Sequence, residues 1–188
     1  MCGRLVWTAE SSGSEALGLP SMGAVHIRPA AAQDAEALTD PHLDVWDDAY
    51  IKLVPTHLLS ARRANRAERI ETWRQILAAS ASGTWVAQRE PGDSRLLGFA
   101  SAGSGRDESE PGLAQRELMA LYVRAEVYGT GFGYALCAAA IGDSPAYLWV
   151  LDGNVRAIRF YERQGFTFDG EVREEPEGRE RRMIRGAA

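Results

Sequence analysis

A glycine-rich turn between an apolar segment and a helical one constrains this chain more than any other feature. Residues 117–123, ELMALYV, are mostly apolar and become β-branched or aromatic toward their end, as expected of a largely buried strand. Gly129, Gly131 and Gly133 follow at alternate positions, and the mainly apolar residues 134–141 then predict a short helix. Glycines at a helix start let the backbone approach a ligand and leave the first N–H groups free for anionic oxygens. The turn therefore predicts a pyrophosphate site.

The bulk properties of the chain exclude several classes of protein. Its 188 residues predict one domain with a real core, and its net charge of −5 argues against a general nucleic-acid binder. No apolar run approaches the roughly 20 residues of a membrane helix. Cys2 and Cys137 are far apart in the sequence, and the three histidines lack metal-ligand spacing. We expect a cytoplasmic protein with no metal and with neither a nucleic-acid nor a membrane partner.

The first 23 residues differ in composition from the rest of the chain. Serine, glycine and proline are frequent over residues 11–23, which is typical of a flexible linker. Leu5, Val6 and Trp7 leave open a role as a lid or a dimer contact. We therefore predict a flexible N-terminal extension over residues 1–23 and a single domain over residues 24–188.

Hydrophobic periodicity within the domain predicts an α+β fold. Helices are expected at 35–39, from a restart at Asp40–Pro41, after Asn65 with Glu68 as a capping-box partner, after the glycine turn, and at 154–164 with Asn154 as the cap. Strands are expected at 25–28, 84–88, 95–103, 116–124, 146–151, 166–172 and 181–185. The order is β-αα-βββ-α-β-α-ββ.

The glycine turn by itself has more than one interpretation. A dinucleotide-binding fold needs G-x-G-x-x-G/A, but the third position is Tyr134 counted from Gly129, or Leu136 counted from Gly131. Too few βα units follow for that fold. A Walker A loop is excluded because no Gly-Lys-Ser/Thr is present. A purely structural tight turn would use the same glycines.

A second motif, in the following helix, gives the turn a more specific meaning. Residues 154–166, NVRAIRFYERQGF, begin with Asn154 and contain an aromatic pair ending at Tyr161, followed by Gly165-Phe166. Together with Tyr128-Gly129-Thr130-Gly131-Phe132-Gly133, this pattern resembles the GNAT superfamily of acetyl-CoA-dependent N-acetyltransferases, over residues 24–186. The family's turn is Q/R-x-x-G-x-G/A, so Tyr128 stands where a Gln or Arg is usual. Loss of that side-chain contact leaves the backbone cradle intact.

The resemblance implies a mixed, mostly antiparallel sheet flanked by helices, and an N-acetyltransferase with acetyl-CoA as co-substrate. A primary amine of a small molecule or peptide would attack directly in a ternary complex. Glu117 stands where related enzymes place the acid that deprotonates the amine, although a strand-end carboxylate paired with Arg116 or Arg124 fits it equally well. Tyr161 matches the family's tyrosine, whose phenol is protonated at neutral pH and can donate to the departing thiolate. Its helical position also fits core packing.

The resemblance also implies a cofactor-binding set built mainly from backbone groups. The strand would present its backbone to the pantetheine arm and the thioester, with the Val123 N–H as the candidate donor to the acetyl carbonyl. Asn154 would hydrogen-bond the pantetheine, cap its helix, or do both. The set is Leu121, Tyr122, Val123, Tyr128, Gly129, Thr130, Gly131, Phe132, Gly133, Tyr134 and Asn154.

The acceptor side carries the weakest signal in the sequence. Trp46, Tyr50 and Trp73 are candidates to line an acceptor pocket, although helical spacing fits core packing too. The three aspartates within residues 44–48 would favour a cationic amine, or they form a solvated helix face. Cys137 raises the question of a covalent route, but a buried packing cysteine fits its small-residue helix better. The alternative function is a non-catalytic acyl-CoA-binding or sensor domain, and dimerisation is common among similar proteins.

Overall fold

The computed structural model describes residues 25–50, 64–79, 83–107 and 110–186, with side chains left out at residue 42 and at residues 45–50. The expected extension over residues 1–23 lies outside this range. The described strands form one seven-stranded sheet flanked by helices, which confirms the predicted α+β class and the element order. The elements are β1 (His26–Pro29), α1 (Ala35–Tyr50), α2 (Arg66–Ala78), β2 (Gly83–Gln88), β3 (Gly98–Ser104), β4 (Arg116–Val123), α3 (Phe132–Ile141), β5 (Ala146–Leu151), α4 (Val155–Arg163), β6 (Thr167–Glu175) and β7 (Gly178–Arg185).

The sheet is antiparallel except at its centre. The strand order is β1-β2-β3-β4-β5-β7-β6, and only β4 and β5 run parallel among these neighbours. A single registered pair, Glu117 with Tyr147, joins those two strands. Beyond this pair the strands separate, and the gap between them becomes the mouth of a cleft. The parallel junction therefore positions the candidate site.

A β-bulge in β4 interrupts the alternation of its side chains. Leu118 and Ala120 pair with adjacent residues of β3. Met119, which lies between them, is therefore the extra residue of the bulge and has no paired residue on β3. Leu118 and Leu121 both pack with the core cluster that includes α3, whereas Ala120 and Tyr122 pack with the cluster that includes α1 and α2. The bulge thus reverses which face of the sheet each following side chain covers.

The buried stripe expected on the second long helix is confirmed. Ile70, Trp73 and Leu77 of α2 are each less than 10% exposed and pack against β2 and β3. The Trp73 ring lies edge-on to Phe99, with the ring centroids 5.2 Å apart. The aromatic pair anchors α2 on the sheet face opposite α3.

The predicted helix restart at Asp40–Pro41 is wrong, because α1 runs unbroken from Ala35 to Tyr50 with Pro41 inside it. Proline in a helix interior costs about 3 kcal/mol, while burying Leu38 and Leu43 on either side of it contributes about 1.5–3 kcal/mol each. Burial therefore offsets the missing hydrogen bond. The Asp40 carboxylate, expected to cap a new helix, instead accepts from Arg66 Nε at 3.0 Å.

Capping predictions at the other helices had mixed outcomes. The α2 helix begins directly after Asn65, but the Asn65 side chain makes no capping hydrogen bond. Asn154 does cap α4, since its Oδ1 accepts from the Ala157 N–H at 3.2 Å. Gly165 ends that helix with φ at 84°, a left-handed conformation that favours glycine. No described helix combines the length and the apolar character needed to cross a membrane.

Candidate functional site

A cleft of about 480 Å³ opens where β4 and β5 separate. Residues of β4, the N-terminal part of α3 and one side of α4 form its walls. It contains most of the predicted cofactor-binding set and the predicted acid: Leu121, Tyr122, Val123, Tyr128, Gly129, Gly131, Gly133, Tyr134, Asn154 and Tyr161. The structure thus brings together residues that lie up to 40 positions apart in the sequence.

The end of β4 presents backbone N–H groups to this cleft. Arg124 donates its N–H to the Leu97 carbonyl at 2.8 Å, so this N–H points toward the β3 side. Hydrogen-bonding direction alternates along a strand, so the N–H groups of Val123 and Leu121 point the other way. Among the described residues, no strand is registered against Leu121 or Val123 on that side of β4. The separation of β4 from β5 therefore leaves two aligned donors facing the cleft.

The glycine turn supplies a second group of backbone donors. Gly129 has φ at 75° and Gly131 has φ at 91°, conformations that cost most side-chain-bearing residues about 1–2 kcal/mol. Gly131 is the N-cap of α3, and the first helical hydrogen bond runs from Ala135 N–H to the Gly131 carbonyl at 2.9 Å. The preceding N–H groups of the first turn have no partner among the described residues. Free N–H groups and the helix dipole together make this turn suited to an anion.

Two members of the predicted cofactor set do not line the cleft. The Thr130 Oγ1 donates to the Val127 carbonyl at 2.7 Å, and the Phe132 side chain is 2% exposed within the core. Their side chains stabilise the turn from behind. The Thr130 N–H donates to the Val127 carbonyl at 3.3 Å, so of these two residues only Phe132 offers a ligand a free backbone N–H.

Tyr128, the departure from the family pattern, lines the cleft beneath an arginine of α4. The Arg156 guanidinium lies 3.8 Å from the centre of the Tyr128 ring. The Tyr128 hydroxyl is buried and has no hydrogen-bond partner within the described part of the chain. A buried hydroxyl without a partner costs about 1–3 kcal/mol, so this group is set up to bind something the chain does not itself supply.

Tyr161 lies on the inner side of α4, where its side chain reaches the cleft. The residue is 9% exposed, and its ring meets Phe160 and Phe166 edge-on at centroid distances of 5.3 and 5.9 Å. Burial raises the pKa of its phenol well above the ordinary value, and nearby Tyr122 and Cys137 add to the rise. The phenol is therefore protonated at neutral pH. No hydrogen bond to its hydroxyl occurs among the described residues, which leaves this donor available to a ligand.

Glu117 lies behind the cleft instead of in its lining. Its side chain is fully buried, and Arg106 Nε donates to both carboxylate oxygens at 3.1 Å. Arg106 also donates through Nη2 and, at 3.0 Å, through its backbone N–H, and the Tyr147 hydroxyl donates at 3.2 Å. The partner of Glu117 is thus Arg106, and neither Arg116 nor Arg124, which bind the Ala140 carbonyl and the Asp44 carboxylate.

These contacts set the protonation state of Glu117. Burial is the largest single influence and by itself raises the pKa of the carboxyl. The hydrogen bonds from Arg106 and Tyr147, with the charge of Arg106, nevertheless hold the pKa below its ordinary value. A carboxylate that accepts this many hydrogen bonds is a weak base. The geometry favours a structural role for Glu117, and its role as a general base stays a prediction.

The predicted acceptor-side aromatics are not brought to the cleft as a group. Trp46 and Tyr50 belong to the part of α1 without described side chains, and Trp73 packs in the core. Asp44, the one of the three aspartates with a described side chain, pairs with Arg124 at 2.6 Å, which reduces its negative potential. Other residues, from β5, β6, β7, the β6–β7 turn and the β3–β4 loop, line this part of the cleft: Arg106, Trp149, Arg173, Glu177 and Glu180.

Cys137 is a packing residue in this structure. It is 2% exposed within α3 and does not line the cleft. Burial raises the pKa of its thiol to about 11, so the thiol is protonated at neutral pH. Both observations agree with the expectation of a buried cysteine and give a covalent route no support.

Sequence reasoning missed several cleft residues, chiefly Arg106, Trp149 and Arg156. The indole Nε1 of Trp149 donates to Asp107 at 2.9 Å, and the Arg173 guanidinium lies 4.3 Å from the centre of its ring. These contacts join residues that are far apart in the sequence and leave no local pattern. Arg156 could have been singled out from the sequence. The helix dipole disfavours a cation in the first turn of a helix, so an arginine there indicates a role other than stabilising the helix.

Comparisons with known proteins agree with this geometry. The family model described as "Acetyltransferase (GNAT) family" matches residues 45–166, more than half of the chain. A search of curated protein sequences finds no match. The PaiA N-acetyltransferase of Thermoplasma acidophilum, solved in complex with coenzyme A, is similar in structure, with a TM-score of 0.68 and 19% identity over 87% of this chain and 99% of that one.

Other solved structures share the fold at comparable identity. A structure described as histone acetyltransferase HPA2 and related acetyltransferase, from Corynebacterium glutamicum, has a TM-score of 0.63 and 22% identity over 87% of this chain and 97% of its own. PH1933 of Pyrococcus horikoshii has a TM-score of 0.62 and 21% identity over 88% of this chain and 99% of its own. At these identities the structures establish the fold, and the sequence match establishes the family: the chain belongs to the GNAT acetyltransferases and is an acyltransferase by family.

Proposed function

We propose that this chain transfers the acetyl group of acetyl-CoA to a primary amine of a small molecule or peptide, by direct attack in a ternary complex. The observation that carries the proposal is the cleft, in which free backbone donors of β4, the glycine turn and the Tyr161 phenol meet. Family membership supports acyl transfer, and the coenzyme A complex of the Thermoplasma relative supports an acyl-CoA donor.

The cleft residues fit the chemical groups of acetyl-CoA. The free N–H groups at the start of α3 suit the pyrophosphate, and the two outward-facing N–H groups of β4 suit the amide and carbonyl oxygens of the arm. When bound, acetyl-CoA supplies the activated acyl carbon. A backbone N–H aimed at its carbonyl oxygen stabilises the negative charge that develops there, and it does so without reorganising during the reaction.

Tyr161 is the proposed general acid. As the acetyl carbon bonds to the amine nitrogen, its bond to sulfur breaks, and the departing thiolate takes the proton of the Tyr161 hydroxyl. The acylated nitrogen then carries one proton too many for an amide, and it returns that proton to the Tyr161 phenolate. The raised pKa of that phenol keeps it protonated before the transfer and makes its phenolate a strong acceptor of the proton that leaves the nitrogen. Burial of the ring by Phe160 and Phe166 holds the hydroxyl in one position, which lowers the entropy cost of the transfer.

The amine must lose a proton before it attacks, because an ammonium group has no lone pair. Two carboxylates compete for this role in the proposal. Glu117 remains the candidate from the family pattern, acting through water or through its hydrogen-bonded neighbours. Glu180 lines the cleft directly and forms an ion pair with Arg173, whose Nη2 donates to the carboxylate at 2.5 Å. The lowered pKa of Glu117 and its burial favour Glu180 as the group that contacts the amine.

Release of free thiol from acetyl-CoA, measured over a panel of small amines, amino acids and peptides, tests the proposal. At least one amine should release CoA above the rate of hydrolysis. Tyr161→Phe should then lower kcat about 100-fold with little change in KM for acetyl-CoA, because only the transition state uses the proton. Arg95→Gln is the control, because Arg95 pairs with Glu126 outside the cleft, and its kcat should stay within about threefold of the parent.

Substitution separates the two candidate bases. Glu180→Gln should lower kcat about 100-fold if Glu180 accepts the proton, whereas Glu117→Gln should do so if Glu117 does. Binding of acetyl-CoA without thiol release for any amine, with Tyr161→Phe unchanged, would instead identify a non-catalytic acyl-CoA-binding or sensor domain.

A further inference from the structure

Within the part of the chain that the structure describes, the three arginines of α4 have no acidic partner. Arg156, Arg159 and Arg163 are exposed, and none of them forms an ion pair with the described residues. Ion pairs are otherwise frequent, and even the surface Arg95 binds Glu126 through two hydrogen bonds, at 2.6 and 2.8 Å. In a chain of net charge −5, a helix with three arginines and no acidic partner among the described residues is unusual. Such a helix is suited to bind an anionic ligand.

Arg156 differs from the other two in its surroundings. It lines the cleft and lies over the Tyr128 ring at 3.8 Å, directly beside the glycine turn. Stacking on an aromatic face fixes the plane of a guanidinium while leaving its N–H edge free to donate. The buried Tyr128 hydroxyl, which has no hydrogen-bond partner among the described residues, lies in the same place. Two side-chain donors without acceptors therefore meet at the entrance to the backbone cradle.

We propose that Arg156, held in place by Tyr128, is the side-chain cation that binds the pyrophosphate of CoA in this chain. The assignment rests on the proposed function and adds to it a residue from a different element, α4. The backbone N–H groups of the turn supply direction, and Arg156 supplies the full positive charge that a doubly anionic group needs. The unfavourable position of a cation at the start of α4 is explained, because bound phosphate neutralises it.

Arg163 also lines the cleft but cannot serve the same group. It lies seven residues beyond Arg156, which corresponds to about 10 Å along the helix axis. That distance separates two phosphate sites, and a second anion such as the 3′-phosphate of CoA would be the partner for Arg163. Arg159 does not line the cleft, and it provides a matched control of the same charge on the same helix.

Calorimetric titration of the purified chain with CoA, without an acceptor, tests the proposal. Arg156→Gln should raise the Kd for CoA about tenfold, whereas Arg159→Gln should change it less than about twofold. The same tenfold loss should remain with 3′-dephospho-CoA, because the pyrophosphate is present in both ligands. The dependence of Kd on salt concentration should also become shallower in Arg156→Gln, since one phosphate contact is lost. Tyr128→Phe should weaken binding by a smaller factor, because the ring remains while the hydroxyl donor is removed.

Four results would overturn the assignment. Equal Kd values for the parent and Arg156→Gln would mean that the arginine does not contact the cofactor. A loss seen with CoA but absent with 3′-dephospho-CoA would assign Arg156 to the 3′-phosphate instead. Equal losses in Arg156→Gln and Arg159→Gln would indicate only the general charge of the helix. Failure of the parent chain to bind CoA at all would overturn the proposed function itself, and with it this assignment.

Discussion

Replacement of Arg106 by glutamine should convert Glu117 from a stabilising group into a destabilising one at neutral pH. Glu117 is fully buried and receives most of its hydrogen bonds from Arg106, so the substitution leaves a buried carboxylate with too few partners. Breaking a buried pair typically costs about 3–5 kcal/mol. Arg106 is itself 55% exposed and water can partly replace it, so we expect a loss of about 2–3 kcal/mol at pH 7.

The pH dependence of stability should change sign in this variant. In the parent chain the pKa of Glu117 is held below its ordinary value of 4.5, so the pair stabilises the fold above that pH and the contribution is lost as the pH falls through the folded-state pKa. Without Arg106, burial dominates and raises the pKa. The folded state then holds the proton more tightly than the unfolded state, and stability falls as the pH rises above about 4.5.

Thermal and urea unfolding at pH 5 and pH 7 measure this effect. A loss of 2–3 kcal/mol corresponds to a drop in Tm of roughly 4–12 °C for a domain of this size. Arg95→Gln is the control, because Arg95 and Glu126 form a similar two-point pair at the surface, with 57% and 43% of their side chains exposed. That control should cost under about 1 kcal/mol. Equal losses in both variants, or an Arg106→Gln variant that loses no stability relative to the parent between pH 5 and pH 7, would refute the reasoning.

Two further substitutions test the cradle and the covalent route. Gly129→Ala places a side chain at φ 75° with no atom within 4 Å of the new Cβ, so backbone strain alone should cost about 1 kcal/mol and raise the Kd for CoA several-fold. Gly112→Ala, at φ 89° and equally unobstructed, should show the strain in urea unfolding without the change in Kd, and equal Kd values in the two variants would count against the cradle. Cys137→Ala should cost about 1 kcal/mol and keep kcat within about twofold in the thiol-release assay, since the thiol is buried and has a pKa of about 11; a tenfold fall in kcat would revive the covalent route.

Local signals allowed much of this fold to be predicted from the sequence. Asn154 and Gly165 correctly predicted the two ends of α4, because capping depends on residues within one turn of the chain. The buried stripe of α2 followed from helical periodicity in the same way. The glycine turn and the helix after β5 could be paired because both motifs occur at a characteristic separation.

Features that depend on distant contacts could not be predicted. The continuity of α1 through Pro41 depends on what its leucines pack against, and the Met119 bulge depends on the register with β3. Arg106 and Glu117 meet across the β3–β4 loop, and Arg156 meets Tyr128 across two elements. Neither pair leaves a periodic pattern. Sequence reasoning therefore located the cleft but assigned Glu117 without knowing what surrounds it.

A single registered pair joins β4 to β5, so the two halves of the sheet, β1 to β4 and β5 to β7, meet there as at a hinge. From Tyr147 at the hinge, β5 extends for four residues to Leu151 at the cleft, a lever arm of about 13 Å. A change of about 5° at the hinge would then move the far end by about 1 Å, a displacement large enough to cost a reaction about 100-fold in rate. The hydrogen bond from Tyr147 to Glu117 lies at this pair, so it fixes the near end of the cleft from a position outside the cleft lining.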